Sequence, residues 1–277
     1  MNHQARLVLV SLLLTGAAAA QLSPHDQDAA QRLVQAYPAA LERVDGSMLV
    51  WKDGTRMPLT RSGARTYPAR LDHPGLLDQL ETAYPACAPT GVPALDTDPG
   101  RSRYEPLFLK MYGASSAEVQ RKLETVDWFG QRLGVTGVNG AAASLRQVAQ
   151  EIGHHPELLR YARPSAGTFL WRRVAGTPRR SVHSFGAAID LNTAYSDYWQ
   201  WRGFREGQPG IPYRNRMPLE LVKIFERNGW IWGGRWYHYD TMHFEYRPEL
   251  TGAAACAKAA GGGERGSEAA GGGKAGR

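Results

Sequence analysis

Apolar residues recur at three- and four-residue steps in several stretches of the chain, which is the spacing of an amphipathic helix. The first helix begins at Ser23-Pro24, where serine can cap the helix and proline fits its first turn. Others are predicted over residues 116–133, 138–152 and 218–228. Gly229 follows the last of them and suits the end of a helix.

Alternation of apolar and polar residues marks shorter stretches as strands. Residues 48–51 and 55–59 flank Asp53-Gly54, a step that suits a tight turn, and together they predict a hairpin. Strands are also predicted over residues 167–174, 187–192, 230–236 and 241–246. Helices followed by clustered short strands predict an α+β fold, in which a small antiparallel sheet is flanked by helices.

The first twenty residues have the composition of a targeting segment. Arg6 precedes a short apolar run, and four alanines end at Ala20. This pattern predicts a signal peptide over residues 1–20, with an uncleaved anchor helix as the alternative. We therefore expect an exported protein, periplasmic or extracellular, with no membrane span in the mature chain.

Composition also divides the remaining chain. A stretch rich in Pro, Gly and Asp places a boundary near residue 100, so that residues 21–100 form an accessory region of helix and hairpin. Residues 101–250 form the domain that contains the candidate chemistry. Residues 251–277 are dominated by Ala and Gly, and we expect a disordered tail there because such a segment buries too little apolar surface to order itself.

Charge and cysteine content narrow the partners only slightly. The 33 Lys and Arg exceed the 26 Asp and Glu by 7, which suits nucleic acid or an anionic cell wall equally well.

Cys87 and Cys256 are the only cysteines. In an oxidising compartment they can pair, and two unrelated thiols are the alternative.

Two histidines and an aspartate form a candidate metal-binding set. Catalytic zinc takes three N or O ligands and keeps a fourth position for water, which His183, Asp190 and His243 can provide. An extended chain would place His183 and Asp190 roughly 23 Å apart, so the chain must turn back between them, and Gly186 permits such a turn. Asp240 lies just before His243 and can take a proton from water that the metal activates.

The residues around these side chains form a recognisable pattern. Ser-x-His-x-x-Gly-x-Ala-x-Asp covers residues 181–190, and Asp-x-x-His-Phe-Glu covers residues 240–245. Trp-Gly-Gly-x-Trp lies just upstream at residues 232–236. The set closely resembles zinc peptidases of the peptidoglycan stem peptide, namely the D-alanyl-D-alanine carboxypeptidases and L-alanyl-D-glutamate endopeptidases. These enzymes share a fold with lysostaphin-type peptidases and the hedgehog signalling domain.

The resemblance implies a role for each matching residue. It makes residues 101–250 a zinc peptidase domain, with His183, Asp190 and His243 as Zn²⁺ ligands and Asp240 as the catalytic acid/base. Many carboxypeptidase members have Glu at the position of Asp240, so the Asp in this chain favours the endopeptidase branch slightly. Relatives often polarise the scissile carbonyl with an Arg before the histidine motif. Arg172 is the best match, with Arg173 as the alternative.

Two further side chains near the motif have more than one interpretation. Glu245 lies on the same strand face as His243, where it either orients that ligand or forms a cross-strand ion pair. His238 either lines the cleft or makes a hydrogen bond at the surface. No nucleophile elbow surrounds Ser181 or Ser184, so serine catalysis is not expected.

These observations predict an exported zinc metallopeptidase that hydrolyses an amide bond in peptidoglycan stem peptides. Carboxypeptidase and endopeptidase activity both remain open. The alternative is a non-catalytic, zinc-containing module that binds the cell wall, because metal ligands persist in hedgehog-like relatives whose role is binding. No recognition motif supports nucleic acid as a partner, and we expect a monomer.

Overall fold

The computed structural model describes residues 21–252 and Cys256. The predicted signal peptide lies outside the described residues, as does most of the predicted tail. The helices are α1 Pro24–Ala36, α2 Tyr67–Asp72, α3 Leu76–Glu81, α4 Glu105–Tyr112, α5 Ser116–Gln120, α6 Ala141–Gly153, α7 Leu159–Ala162, α8 Leu219–Arg227 and α9 Pro248–Thr251. The strands are β1 Leu41–Asp45, β2 Met48–Trp51, β3 Arg56–Pro58, β4 Leu123–Trp128, β5 Gln131–Thr136, β6 Ala188–Asp190, β7 Trp230–Trp232 and β8 His243–Tyr246. None of the described helices is long and apolar enough to cross a membrane.

The architecture is α+β, as predicted, with helices around small antiparallel sheets. The strands β1, β2 and β3 form one sheet in that order, which confirms the predicted hairpin and adds β1 to it. The predicted first helix is α1, where the Ser23 side chain accepts a hydrogen bond from the Asp26 amide. Helix α8 fulfils the prediction for 218–228, and Gly229 follows it with a φ of +87°.

The predicted helix over 116–133 is wrong beyond its first turn. After α5, the chain forms the antiparallel hairpin of β4 and β5. Phe129 and Gly130 both have positive φ, and the Asp127 carboxylate accepts a hydrogen bond from the Gly130 amide. Such a two-residue turn matches the twist of paired strands. The apolar spacing also fits a strand, because Val126 and Trp128 alternate with exposed neighbours and are fully buried.

The third sheet has the order β6-β8-β7 and places the candidate site. In its register Ile189 is opposite Phe244 and Asp190 is opposite His243. The predicted strands are therefore confirmed in part: 187–192 in its centre, 230–236 in its first three residues and 241–246 in its last four. The predicted strand over 167–174 is wrong, because that segment makes only isolated bridges, such as the one between Gly167 and Asp190.

The N-terminal region and the candidate site share one apolar core. Leu33 of α1 and Leu76 of α3 belong to the same buried cluster as Phe185 and Ala187. The two cysteines are joined in a disulfide, so the interpretation as unrelated thiols is wrong. The bridge connects residues 169 positions apart and joins Cys256, which follows α9, to the segment that precedes the predicted boundary.

Candidate metal centre

Three side chains that are distant in sequence converge on one point. The Nε2 atom of His183 lies 3.2 Å from Asp190 Oδ2 and 3.2 Å from His243 Nδ1. His243 Nδ1 lies 2.8 Å from Asp190 Oδ1. Within the described residues, these three are the group of His, Cys, Asp and Glu side chains arranged to hold a metal ion. At zinc-to-ligand distances of about 2.0–2.1 Å, tetrahedral ligand atoms lie roughly 3.3 Å apart, so the donor set fits zinc.

Backbone geometry explains how the ligands meet. His183 lies in a short 3₁₀ helix, Val182–Phe185, which ends at Gly186 with a φ of +64°. A Cβ at this glycine would lie 2.5 Å from a Leu123 side-chain carbon and 3.2 Å from the Thr136 backbone nitrogen. The turn predicted at this glycine is confirmed. It sends the chain into β6, whose last residue is Asp190, directly beside His243 at the start of β8.

The second nitrogen of each histidine has a partner that sets the tautomer. Nδ1 of His183 lies 2.8 Å from the Thr168 carbonyl oxygen, which can only accept a hydrogen bond. Nε2 of His243 lies 3.0 Å from Glu245 Oε1. In each case the outer nitrogen carries a proton, so the nitrogen that faces the cluster is the one that would bind a metal.

The charges of this cluster are tightly coupled. Burial raises the pKa of the Asp190 carboxyl, but His183 and His243 outweigh it and hold that pKa well below its usual range. Burial lowers the pKa of His243, yet hydrogen bonds to Asp190 and Glu245 raise it to about 10. Two carboxylates thus favour positive charge at His243. A bound cation would provide that charge in place of the proton.

Asp240 lies beside the cluster with one carboxylate oxygen unpaired. Oδ1 is buried and has no hydrogen-bond partner among the described residues. Burial raises the pKa of Asp240, His243 opposes the rise and the Asp190 charge adds to it, and the pKa is raised to about 7 as a result. The Gly233 carbonyl holds the backbone of Asp240 by accepting a hydrogen bond from its amide at 3.0 Å. A carboxylate with a free oxygen and a pKa near neutrality is suited to accept a proton.

The two candidate arginines differ in position. Arg172 is exposed and lines the cavity of about 290 Å³ that contains the metal cluster and Asp240. It has no carboxylate partner among the described residues, so its positive charge is available to a substrate. Arg173 is not part of that lining and donates to the Pro178 carbonyl instead. Of the two arginines that the sequence left open for polarising a scissile carbonyl, Arg172 is therefore the one that lines the cavity.

His238 lines the cavity but is not at the surface. Its side chain is fully buried, and Nδ1 donates to the Asp98 carboxylate at 2.6 Å. Asp98 also accepts a hydrogen bond from the His238 amide. Of the cleft aromatics, Trp201 is 59% exposed at the cavity and Trp199 is buried against the His238 ring.

Sequence reasoning missed part of the cavity wall. Arg101, Arg103 and Arg179 all line the cavity. Two of them lie at the predicted domain boundary and the third lies in a loop, where an arginine is ordinarily a solvated surface residue. No local signal marks Arg101 and Arg103, since their place in the wall depends on tertiary contacts alone. Arg179 is different, because its position near the motif makes it a candidate to meet a stem-peptide carboxylate, with a solvated surface residue as the alternative.

The comparisons with known proteins bear on the same segment. Residues 175–246 match the family model described as D-alanyl-D-alanine carboxypeptidase. The resemblance to this peptidase family is confirmed. Comparisons with curated proteins and with solved structures give no match. The matched residues, which we call the peptidase segment, include the three metal-cluster residues, Asp240 and Glu245, whereas Arg172 precedes it.

Glu245 is buried next to the metal cluster and contacts three side chains. Its Oε1 contacts His243 and also lies 3.1 Å from Arg103 Nη1, while Oε2 lies 3.3 Å from Arg247 Nη1. Burial raises the pKa of Glu245, but Arg103 and His243 outweigh it and lower that pKa to about 2. The carboxylate is therefore charged, and it contacts His243. The predicted cross-strand ion pair is wrong, because the strand residues opposite Glu245 are Ala188 and Ile231, and its ion pairs are with Arg103 and Arg247.

Replacing Glu245 with glutamine should weaken zinc binding about 10- to 100-fold, because the His243 proton loses its charged acceptor. Competition with a chromogenic chelator measures the affinity. Glu249→Gln is the matched control, since Glu249 is equally buried and pairs with Arg247 but does not contact His243. Equal zinc affinities in the two variants would show that Glu245 acts only on stability.

Proposed function

We propose that this protein is a zinc-dependent peptidase that is exported and hydrolyses an amide bond in the peptide part of peptidoglycan. The observation that supports it most is the convergence of two imidazole nitrogens and a carboxylate beside Asp240, in the segment that matches the carboxypeptidase family. Zinc fits the site because the donor set and spacing suit a tetrahedral ion with an open position.

In this proposal His183, Asp190 and His243 hold the ion. Zinc there would lower the pKa of a bound water from about 15.7 to about 7 and polarise the scissile carbonyl. The outer hydrogen bonds to the Thr168 carbonyl and to Glu245 keep both histidines in the tautomer that can bind.

Proton transfer falls to Asp240. Its unpaired Oδ1 would accept the proton of the attacking water and then deliver it to the leaving amine. The side chain need not contact the ion for this role. The nearby Arg172 guanidinium would donate hydrogen bonds to the carbonyl oxygen as negative charge develops on it.

Residues 21–100 would support this site from outside the peptidase segment. Asp98, from the end of that region, accepts hydrogen bonds from both the backbone and the ring of His238, two residues before Asp240. The shared apolar core fixes the two parts of the chain against each other. We infer that the accessory region stabilises the loop that presents Asp240.

Digestion of purified sacculi tests the proposal. We expect the zinc-loaded protein to release muropeptides with new termini, and we expect a chelator to stop the release until zinc is restored. Mass spectrometry then identifies the bond, because free D-alanine indicates a carboxypeptidase and stems that begin at D-glutamate indicate an endopeptidase. Binding to sacculi without any new terminus would overturn the proposal in favour of the wall-binding module.

A further inference from the structure

The lining of the metal cavity contains a cluster of cations that the mechanism does not use. Arg101, Arg103 and Arg179, which we call the arginine wall, line the metal cavity. All three also line a second cavity of about 170 Å³, whose lining includes Asp72 and Glu105. Their side chains are only 13%, 14% and 10% exposed, so the three charges are held in place at a buried boundary.

Carboxylates hold two of these arginines from outside the metal cavity. Arg101 donates to Asp98 at 2.8 Å and to Glu206 at 2.7 Å. Arg179 donates through Nη2 to both oxygens of Glu206, at 3.1 and 3.0 Å. Neither carboxylate belongs to the lining of the metal cavity. The guanidinium groups are thereby oriented, and the cavity itself receives positive groups.

The positive charge of the third arginine, Arg103, is the least balanced by carboxylates. Arg103 makes one contact with a carboxylate, at 3.1 Å from Glu245, which also serves His243 and Arg247. Burial lowers the pKa of Arg103, Glu245 opposes this, and the neighbouring charges of Arg247, Arg179 and Arg101 add to the lowering, so that the pKa is lowered to about 10. In addition, Nη1 of Arg179 is buried without a hydrogen-bond partner among the described residues. An anion in the metal cavity would offset the excess of positive charge around Arg103.

We propose that the arginine wall is a subsite for a carboxylate of the substrate, with Arg103 and Arg179 as its specificity-determining residues. This inference rests on the proposed function, because a peptidoglycan stem peptide with lysine at its third position contains two such groups. One is the α-carboxylate of its γ-linked D-glutamate, and the other is the carboxylate at its D-alanine terminus. The wall and the metal cluster line one cavity, so a carboxylate bound there belongs to a residue close to the scissile amide.

Binding of three peptides tests the subsite without requiring turnover. The full-length, zinc-loaded Asp240→Asn variant is titrated with L-Ala-γ-D-Glu-L-Lys-D-Ala-D-Ala, with its glutamate α-amide, and with its C-terminal amide. We expect one of the two amides to bind about tenfold or more weakly than the free acid, since a charged hydrogen bond is lost. The amide that loses affinity identifies which carboxylate the wall recognises.

Substitution of the wall should erase that discrimination. When Arg179→Gln is added to the Asp240→Asn variant, we expect the ratio of its affinities for the free acid and for the weaker-binding amide to fall towards one. Arg103→Lys serves if that variant does not fold, because lysine keeps the charge but lacks the planar fork, and the ratio should again fall. Arg180→Gln is the control. Arg180 is the neighbouring residue, pairs with Glu105 and lies outside the metal cavity, so the ratio should not change.

The outcomes separate the two proposals. Equal affinity for all three peptides, or a ratio that is the same with and without the arginine substitutions, would overturn the subsite. Such a result leaves the peptidase proposal intact if the wild-type protein still releases muropeptides from sacculi. Carboxylate-dependent binding in a protein that releases nothing from sacculi would instead support the subsite and overturn the peptidase proposal.

Discussion

Asp240→Ala is expected to abolish hydrolysis of peptidoglycan while the variant still binds about one zinc ion per chain. The reason is that Asp240 supplies a proton acceptor with a free oxygen but is not one of the three clustered ligand atoms. General base catalysis contributes roughly 10²- to 10⁴-fold to rate, so the loss should be of that order or larger. Muropeptide release measures activity, and elemental analysis measures zinc.

Asp197→Asn is the matched control for this prediction. Asp197 pairs with Arg216, and its backbone is hydrogen-bonded to Thr241 next to Asp240, but its side chain does not line the cavity. We expect it to retain activity. Full activity in Asp240→Ala would show that another group takes the proton.

The pH profile gives a second measure of the same residue. Asp240 must be ionised to accept a proton, so activity should fall as the pH drops through its pKa. Burial raises that pKa to about 7 in the protein without metal, and a bound cation would lower it. We therefore expect an acidic limb of kcat/KM below about pH 7. A profile that stays flat down to pH 4 would contradict the assignment.

His183→Ala is expected to eliminate both zinc binding and hydrolysis. The variant keeps only Asp190 and His243, whereas catalytic zinc takes three protein ligands. His183 Nε2 is the ligand atom that contacts both of the others, so its loss opens the cluster. A ligand that binds only the folded state at 1,000 times its Kd stabilises it by about 4.1 kcal/mol. The wild-type protein should therefore gain thermal stability from added zinc, and the variant should not.

His155→Ala provides the comparison for that experiment. His155 is outside the metal cluster, where its side chain contacts Glu157, and its loss should leave the zinc-dependent increase in Tm unchanged. Thermal unfolding with and without zinc, together with zinc content, decides the matter. One zinc ion per chain in His183→Ala would mean that the ion binds elsewhere.

Much of the local structure could be predicted from the sequence. Helices α1 and α8 have clear start or stop signals, namely Ser23-Pro24 at one and Gly229 after the other. The hairpin at Asp53-Gly54 has its own turn chemistry. The residues of the metal cluster stand out because their types and spacing match a known motif. Each of these signals lies within a few neighbouring residues.

The hairpin of β4 and β5 shows where such patterns are ambiguous. Its apolar residues satisfy helical spacing and strand spacing at once, so periodicity alone did not distinguish the two. Pairing decided the matter, because the positive φ values at Phe129 and Gly130 reverse the chain and align the two strands. Burial of Trp128, whose indole donates a hydrogen bond to the Ala162 carbonyl, then stabilises the strand.

The sequence by itself identified His183, Asp190, Asp240 and His243 as the candidates for chemistry and predicted several of the short helices and turns. Tertiary structure decided what those side chains contact. It placed Asp190 opposite His243, gave His238 its partner Asp98 from 140 residues away, and assembled the arginine wall from two separate segments. Such contacts depend on which apolar faces pack together over long sequence separations, and no pattern confined to neighbouring residues encodes them.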